Sequence, residues 1–178
     1  SKPRFVGYMV QFAFAFGAMM AYVSASPFLY QNVMGLSPQG YALCFGINSL
    51  GLITAGLVSA RLATRVPLRR TISIALGVLL VSSCAMAVMA QLGVRSLALA
   101  AVIFIMVTSV GFTMGNTTGL AVAEVREVSG SGSALLGCAQ FFIGAVATPL
   151  VGLSGEDSPV AFSITALVSA TVAVGALV

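Results

Sequence analysis

Arg61-Leu62-Ala63-Thr64-Arg65-Val66-Pro67-Leu68-Arg69-Arg70 holds half of the Lys and Arg in this chain, four of eight. On either side lie apolar runs long enough to cross a bilayer, which takes about 20 residues. Six such stretches cross the 178 residues. Lys2 and Arg4 precede the first stretch, the arginine segment fills the second gap, and Arg126 lies in the fourth. The first and fifth gaps hold no basic residue, and the third holds only Arg95. Basic residues confined to alternate gaps form the positive-inside pattern. The chain is therefore expected to be an all-α integral membrane protein with six transmembrane helices. Both termini and the arginine loop are expected in the cytoplasm.

Composition narrows the function. The chain is 59% hydrophobic and 7% charged, whereas soluble domains carry about 25% charged residues. The net charge of +4 does not point to nucleic acid; membrane lipid accounts for it, since anionic headgroups attract basic residues gathered at one face. There is no histidine, which removes the commonest metal ligand and proton shuttle. Cys44, Cys84 and Cys138 stand singly in apolar runs and read as small core hydrophobes, with no spacing suited to a metal. The four carboxylates, Glu124, Glu127, Glu156 and Asp157, sit at helix ends or in loops, and Lys2 is the only lysine. No nucleophilic constellation and no phosphate-cradling loop can be assembled. An enzyme is not expected, and neither is a cofactor. No acid lies at membrane depth, where proton-driven machines place their titrating group. Proton chemistry, if any, belongs to another part of the machine.

The spans are expected at about 5–26, 38–60, 71–91, 97–123, 131–153 and 159–178, forming a single bundle over residues 1–178. The first should stop near Pro27. The second and sixth begin at Ser37-Pro38 and Ser158-Pro159, a serine N-cap followed by proline in the first turn. Amides fall in helices one, two, four and five: Gln11, Asn48, Asn116 and Gln140. Because an amide facing lipid is costly, these four helices are expected inside, with three and six outside. The order inner, inner, outer then occurs twice, the internal symmetry of an inverted-repeat transporter. Small residues recur at four-residue spacing: Gly111, Gly115 and Gly119 in helix four, Ala13, Gly17 and Ala21 in helix one. With Gly137 and Gly144 of helix five, they are candidate helix-packing positions.

The arginine segment resembles the loop signature between the second and third helices of each half of the major facilitator superfamily. Arg65, Arg69 and Arg70 match, Thr64 stands in the Asp position and Pro67 in a Gly position. Ser26-Pro27-Phe28, Gly35-Leu36-Ser37-Pro38-Gln39 and Phe45-Gly46-Ile47-Asn48-Ser49-Leu50-Gly51 resemble helices seven and eight of the Bcr/CflA drug-resistance transporters. Gly115-Asn116, Gly130-Ser131-Gly132-Ser133-Ala134-Leu135-Leu136-Gly137 and Gln140-Phe141 resemble their helices ten and eleven. The resemblance implies the carboxy-terminal half-bundle, helices 7–12, of a twelve-helix proton antiporter. Such a protein expels small amphiphilic drugs or metabolites across the bacterial inner membrane. Its proton-binding acids and its partner surface are then expected in the amino-terminal half of the same transporter. Ser1 and Val178, the latter inside an apolar run, fit a piece of a longer polypeptide.

Candidate path residues are Gln11, Phe14 and Tyr22 of helix one, Asn48 of helix two, Asn116 of helix four, and Gln140 and Phe141 of helix five. Each amide reads equally as a substrate contact or as an interhelical hydrogen bond. An apolar wall bearing a few amides suits an uncharged or cationic amphiphile. Two other readings stand beside the exporter. One is a free-standing six-helix half-transporter or pore working with a second copy as a homodimer. The other is a structural half-bundle without transport activity of its own.

Overall fold

Each apolar run folds as a helix because lipid offers the backbone no hydrogen-bond partner outside the chain. The computed structural model describes residues 2–155 and 159–177. It contains α1 (Pro3–Phe28), α2 (Pro38–Leu62), α3 (Leu68–Gln91), α4 (Leu97–Glu124), α5 (Ser129–Val151) and α6 (Val160–Gly175). The first five are long and apolar enough to cross a membrane; α6 is a shorter apolar helix. The expected Ser158 cap, together with Glu156 and Asp157, lies outside the described residues.

α1 does not stop at Pro27. The helix runs through it and continues as a π-helical turn, Leu29–Val33. Proline lacks the N–H that would bond the carbonyl four residues back, here that of Val23. The Ser26 hydroxyl donates to that carbonyl instead, at 2.9 Å, so the break expected from the sequence is repaired. The end comes at Gly35, where φ is 70°, a left-handed conformation that glycine adopts without strain. That turn lets the Leu36 N–H close onto the Tyr30 carbonyl at 2.9 Å. α2 then starts as expected: the Ser37 hydroxyl accepts from the Gly40 N–H at 3.2 Å. At its far end Thr64 Oγ1 donates to the Arg61 carbonyl at 2.8 Å. Arg61 lies in the last helical turn, where a cation complements the helix dipole.

α1 and α4 form the centre. α1 packs against α4, α5 and α6; α4 packs against α1, α2 and α3; α3 and α6 also meet. Exchanging α1 with α4, α2 with α5 and α3 with α6 leaves this pattern unchanged. Successive helices joined by short turns run antiparallel, so the exchange reverses direction. These are two inverted three-helix repeats. One core cluster joins Tyr22, Leu29 and Tyr30 to Leu76, Met86, Ile103 and Phe162. A second gathers Phe5, Tyr8, Phe12, Ala121 and Leu136.

Within this chain α2 and α5 are the least covered of the five long helices: 22% of the apolar window of each is buried, against 39% for α3. α3 lays Ile72, Leu76, Leu79 and Met86 into the core. α2 buries only Asn48, Gly51, Ala55 and Ser59. Within this chain the amide thus marks a narrow stripe of contact along α2. The rest of α2 and α5 is an exposed apolar surface, including Leu43, Leu50 and Leu57 on one and Phe141 and Phe142 on the other.

Candidate functional site

Three buried amides set the geometry. Asn48, at the start of the α2 stripe, donates through Nδ2 to the Tyr22 hydroxyl at 2.9 Å and the Tyr30 hydroxyl at 2.7 Å. Around this node Tyr22 stacks on Phe45 with centroids 6.0 Å apart, and Tyr41 leans on Tyr30 and Phe45 at 6.1 and 5.9 Å. Tyr41 also reaches Ser26 Oγ at 3.4 Å. Asn116 on α4 donates to Ser59 Oγ at 2.7 Å and to the carbonyl of Phe112 at 2.9 Å. Gln11 on α1 donates to Thr117 Oγ1 on α4 at 3.2 Å. It is fully buried, and its Oε1 has no hydrogen-bond partner. An unpartnered buried acceptor is costly, so Gln11 holds unspent bonding capacity on the central helix pair.

Asn48 therefore joins Tyr22, and Gln11 and Asn116 each find a hydroxyl on a neighbouring helix. The other expected path residues go elsewhere. Phe14 lines a groove between α1, α5 and α6. Gln140 is half-buried. Phe141 is 65% exposed and meets Phe16 edge-on at 5.6 Å. The sequence reading missed Tyr30, Ser59 and Thr117. Helical spacing held the signal: Ser59 lies eleven residues from Asn48, three turns along the same face.

Glycines make the seams. A Cβ on Gly111 of α4 would stand 2.5 Å from the Leu52 carbonyl oxygen and 2.8 Å from Ala55 Cβ of α2. Across the same seam, one on Gly51 would meet Phe104 and Thr108 at 2.6 Å. The inverted mate carries the same device. Gly17 of α1 faces Ile143 at 2.8 Å, and Gly144 of α5 faces Phe16 and Met20 at 3.0 Å. Gly115, Gly119 and Gly137 do not act this way. A Cβ on any of them would meet nothing within 4 Å, because they point away from the seams.

In the arginine loop Thr64 caps α2, while Arg65, Arg69 and Arg70 are exposed. Cys84 and Cys138 lie on exposed faces and Cys44 is half-buried, so two of the three expected core cysteines are not in the core. The described residues contain no cluster of three or more metal-ligating side chains.

Taken together, the inverted triplets, the glycine seams and the buried amides define a polytopic α-helical membrane protein of transporter architecture. The Major Facilitator Superfamily model matches residues 1–149, and the chain belongs to that family. The chain is 30% identical over 173 residues, 97% of its length, to the uncharacterized MFS-type transporter YdgK of Bacillus subtilis. It is 26% identical over 171 residues, 94% of its length, to a bicyclomycin resistance protein homolog of Haemophilus influenzae. In both cases it spans 42% of the relative's own length.

Proposed function

We propose that this chain is the carboxy-terminal half of a proton-coupled exporter of amphiphilic drugs or metabolites, operating by alternating access in the bacterial inner membrane. The observation that carries this reading is Gln11. It sits on the central helix pair of a transporter bundle with one bond made and its acceptor oxygen unspent. An amphiphile carrying a donor group can satisfy that oxygen, and the apolar surroundings suit the rest of it. Asn48 and Asn116 are the accompanying polar positions, although their donors already serve Tyr22, Tyr30 and Ser59. The exposed apolar faces of α2 and α5 are where the amino-terminal half docks. The coupling acid belongs to that half, since the only acids among the described residues are Glu124, at the very end of α4, and Glu127, in the short 3-10 turn that follows it. The drug-resistance name of one relative supports the direction of transport.

The test is export of a cationic amphiphilic dye from cells lacking other efflux systems and expressing the full-length protein. Gln11→Leu is expected to slow export at least about tenfold, a loss of about 1.4 kcal/mol of selective stabilisation, at unchanged membrane abundance. Collapse of the proton gradient should stop export by the unaltered protein. Wild-type export by Gln11→Leu would remove Gln11 from the path. Export by the isolated chain as a dimer would favour the half-transporter reading.

A further inference from the structure

Each inverted repeat leaves a groove of about 500 Å³ on the bundle surface, one between α2, α3 and α4 and one between α5, α6 and α1. Their apolar walls are alike and their rims differ. The α5–α6–α1 groove is lined by residues such as Phe14, Ile143, Val146, Ile164 and Val168, and no charged side chain among the described residues lines it. The α2–α3–α4 groove runs from Arg70 at the start of α3, past Thr71 and Ala75, to Val78, with Phe104 and Phe112 opposite. Eight residues of helix make it roughly 12 Å long, and its wall below the rim is almost wholly apolar.

Two features at the rim call for an anion. The Arg70 guanidinium is exposed and has no ion-pair or hydrogen-bond partner among the described residues. It stands in the first turn of α3, where the helix dipole adds positive potential. One residue further in, Thr71 is 6% exposed and its Oγ1 has no partner. That is unusual in this chain: Ser73, Ser82, Ser83, Thr113 and Thr118 all donate to a carbonyl four residues back. Thr108 on the groove floor also has an unpartnered Oγ1, but that hydroxyl faces Gly51 across the seam.

We propose that the α2–α3–α4 groove binds one anionic phospholipid from the leaflet that the arginine loop faces. The phosphate lies at Arg70, a headgroup or ester oxygen reaches Thr71, and an acyl chain fills the apolar wall. The cation at the rim and the hydroxyl below it read the headgroup, while the wall reads only hydrocarbon. The matching α5–α6–α1 groove has the apolar wall without the cation and the unpartnered hydroxyl, so it holds lipid chains without choosing their charge.

The experiment uses the full-length protein, stripped of lipid in detergent and titrated with phosphatidylglycerol or phosphatidylcholine under native mass spectrometry. The unaltered protein is expected to retain one phosphatidylglycerol in preference to phosphatidylcholine. Arg70→Gln should weaken phosphatidylglycerol about fivefold and leave phosphatidylcholine unchanged, Arg70→Lys should largely restore the preference, and Val78→Trp should remove the tight site by filling the groove. Arg126→Gln, a cation on another loop, should change nothing. Equal binding of the two lipids by the unaltered protein overturns the proposal, including the case in which a second copy or the other half covers the groove. So does equal weakening by Arg70→Gln and Arg126→Gln, which would mean diffuse surface attraction, or full binding by Val78→Trp.

Discussion

The α4–α2 seam and the α1–α5 seam are the same joint built twice, with different stiffness. Each places one glycine on each helix, so the backbones approach closely. At α4–α2 one of the two glycines meets backbone: Gly111 lies against the Leu52 carbonyl, which cannot move without moving α2. Two amides then pin α2, one to α4 through Ser59 and one to α1 through Tyr22 and Tyr30. At α1–α5 the close contacts are side-chain carbons of Ile143, Phe16 and Met20. The polar link there among the described residues is a single long bond, Ser24 Oγ to the Thr148 carbonyl at 3.5 Å. Symmetry of fold is thus compatible with asymmetry of compliance. α2 is fastened by polar bonds, whereas α5 is seated mainly by apolar side chains.

The comparison breaks most sharply at the glycines. Gly111→Ala places a methyl group against a carbonyl oxygen and is expected to lose about 1–3 kcal/mol through overpacking. Gly144→Ala meets side chains that can turn aside and should lose less. Gly115→Ala, facing open space, should stay within about 0.5 kcal/mol. Reversible unfolding of the full-length protein in mixed micelles measures all three. Equal costs at positions 111 and 144 would erase the distinction between the seams.

Next come the amides. Asn48→Leu strands two tyrosine hydroxyls and is expected to cost about 1–2 kcal/mol, at the upper end for intramembrane hydrogen bonds. Asn116→Leu removes one interhelical bond and should cost about 0.6 kcal/mol, the average for such bonds. Ser24→Ala, the counterpart on the α5 side, should fall below both. The same unfolding measurement orders them, and Ser24→Ala costing as much as Asn48→Leu would show α5 to be pinned as firmly as α2.

Much of this was legible in the sequence, and the residues show where legibility ended. Apolar length marked the helices, five of them long enough to cross a membrane, and the Ser37 cap fell where expected. The amides of Gln11, Asn48 and Asn116 were rightly placed against protein, because lipid penalises them wherever the fold is drawn. Composition cannot say how wide the buried stripe around an amide is: within this chain α2 buries only Asn48, Gly51, Ala55 and Ser59. Nor can spacing say which face of a helix meets a neighbour. Gly111, Gly115 and Gly119 are indistinguishable in sequence, yet one is clamped and two are open. Tyr30 was hidden because Pro27 was taken as a stop, which placed the tyrosine in a loop.

That proline supplies the smallest and most discriminating comparison, between α1, which carries it near its end, and α4, which has no proline. In α4 the Thr118 hydroxyl donates to the Met114 carbonyl at 2.9 Å, an oxygen also within reach of the backbone N–H of residue 118 as the ordinary helical acceptor. Ser26 donates to the Val23 carbonyl, which Pro27 cannot serve. One hydroxyl adds a bond to a satisfied oxygen; the other replaces a missing one. Ser26→Ala is therefore expected to cost about 0.6 kcal/mol and Thr118→Ala less. Pro27→Ala returns the N–H, so in that background Ser26→Ala should become nearly neutral, apart from the weak contact with Tyr41. A double-mutant cycle between positions 26 and 27 reads this coupling directly. If Ser26→Ala costs the same with and without the proline, the hydroxyl is not what carries α1 through Pro27 to Tyr30. The continuity of the helix would then rest on the packing of Leu29 and Tyr30 alone.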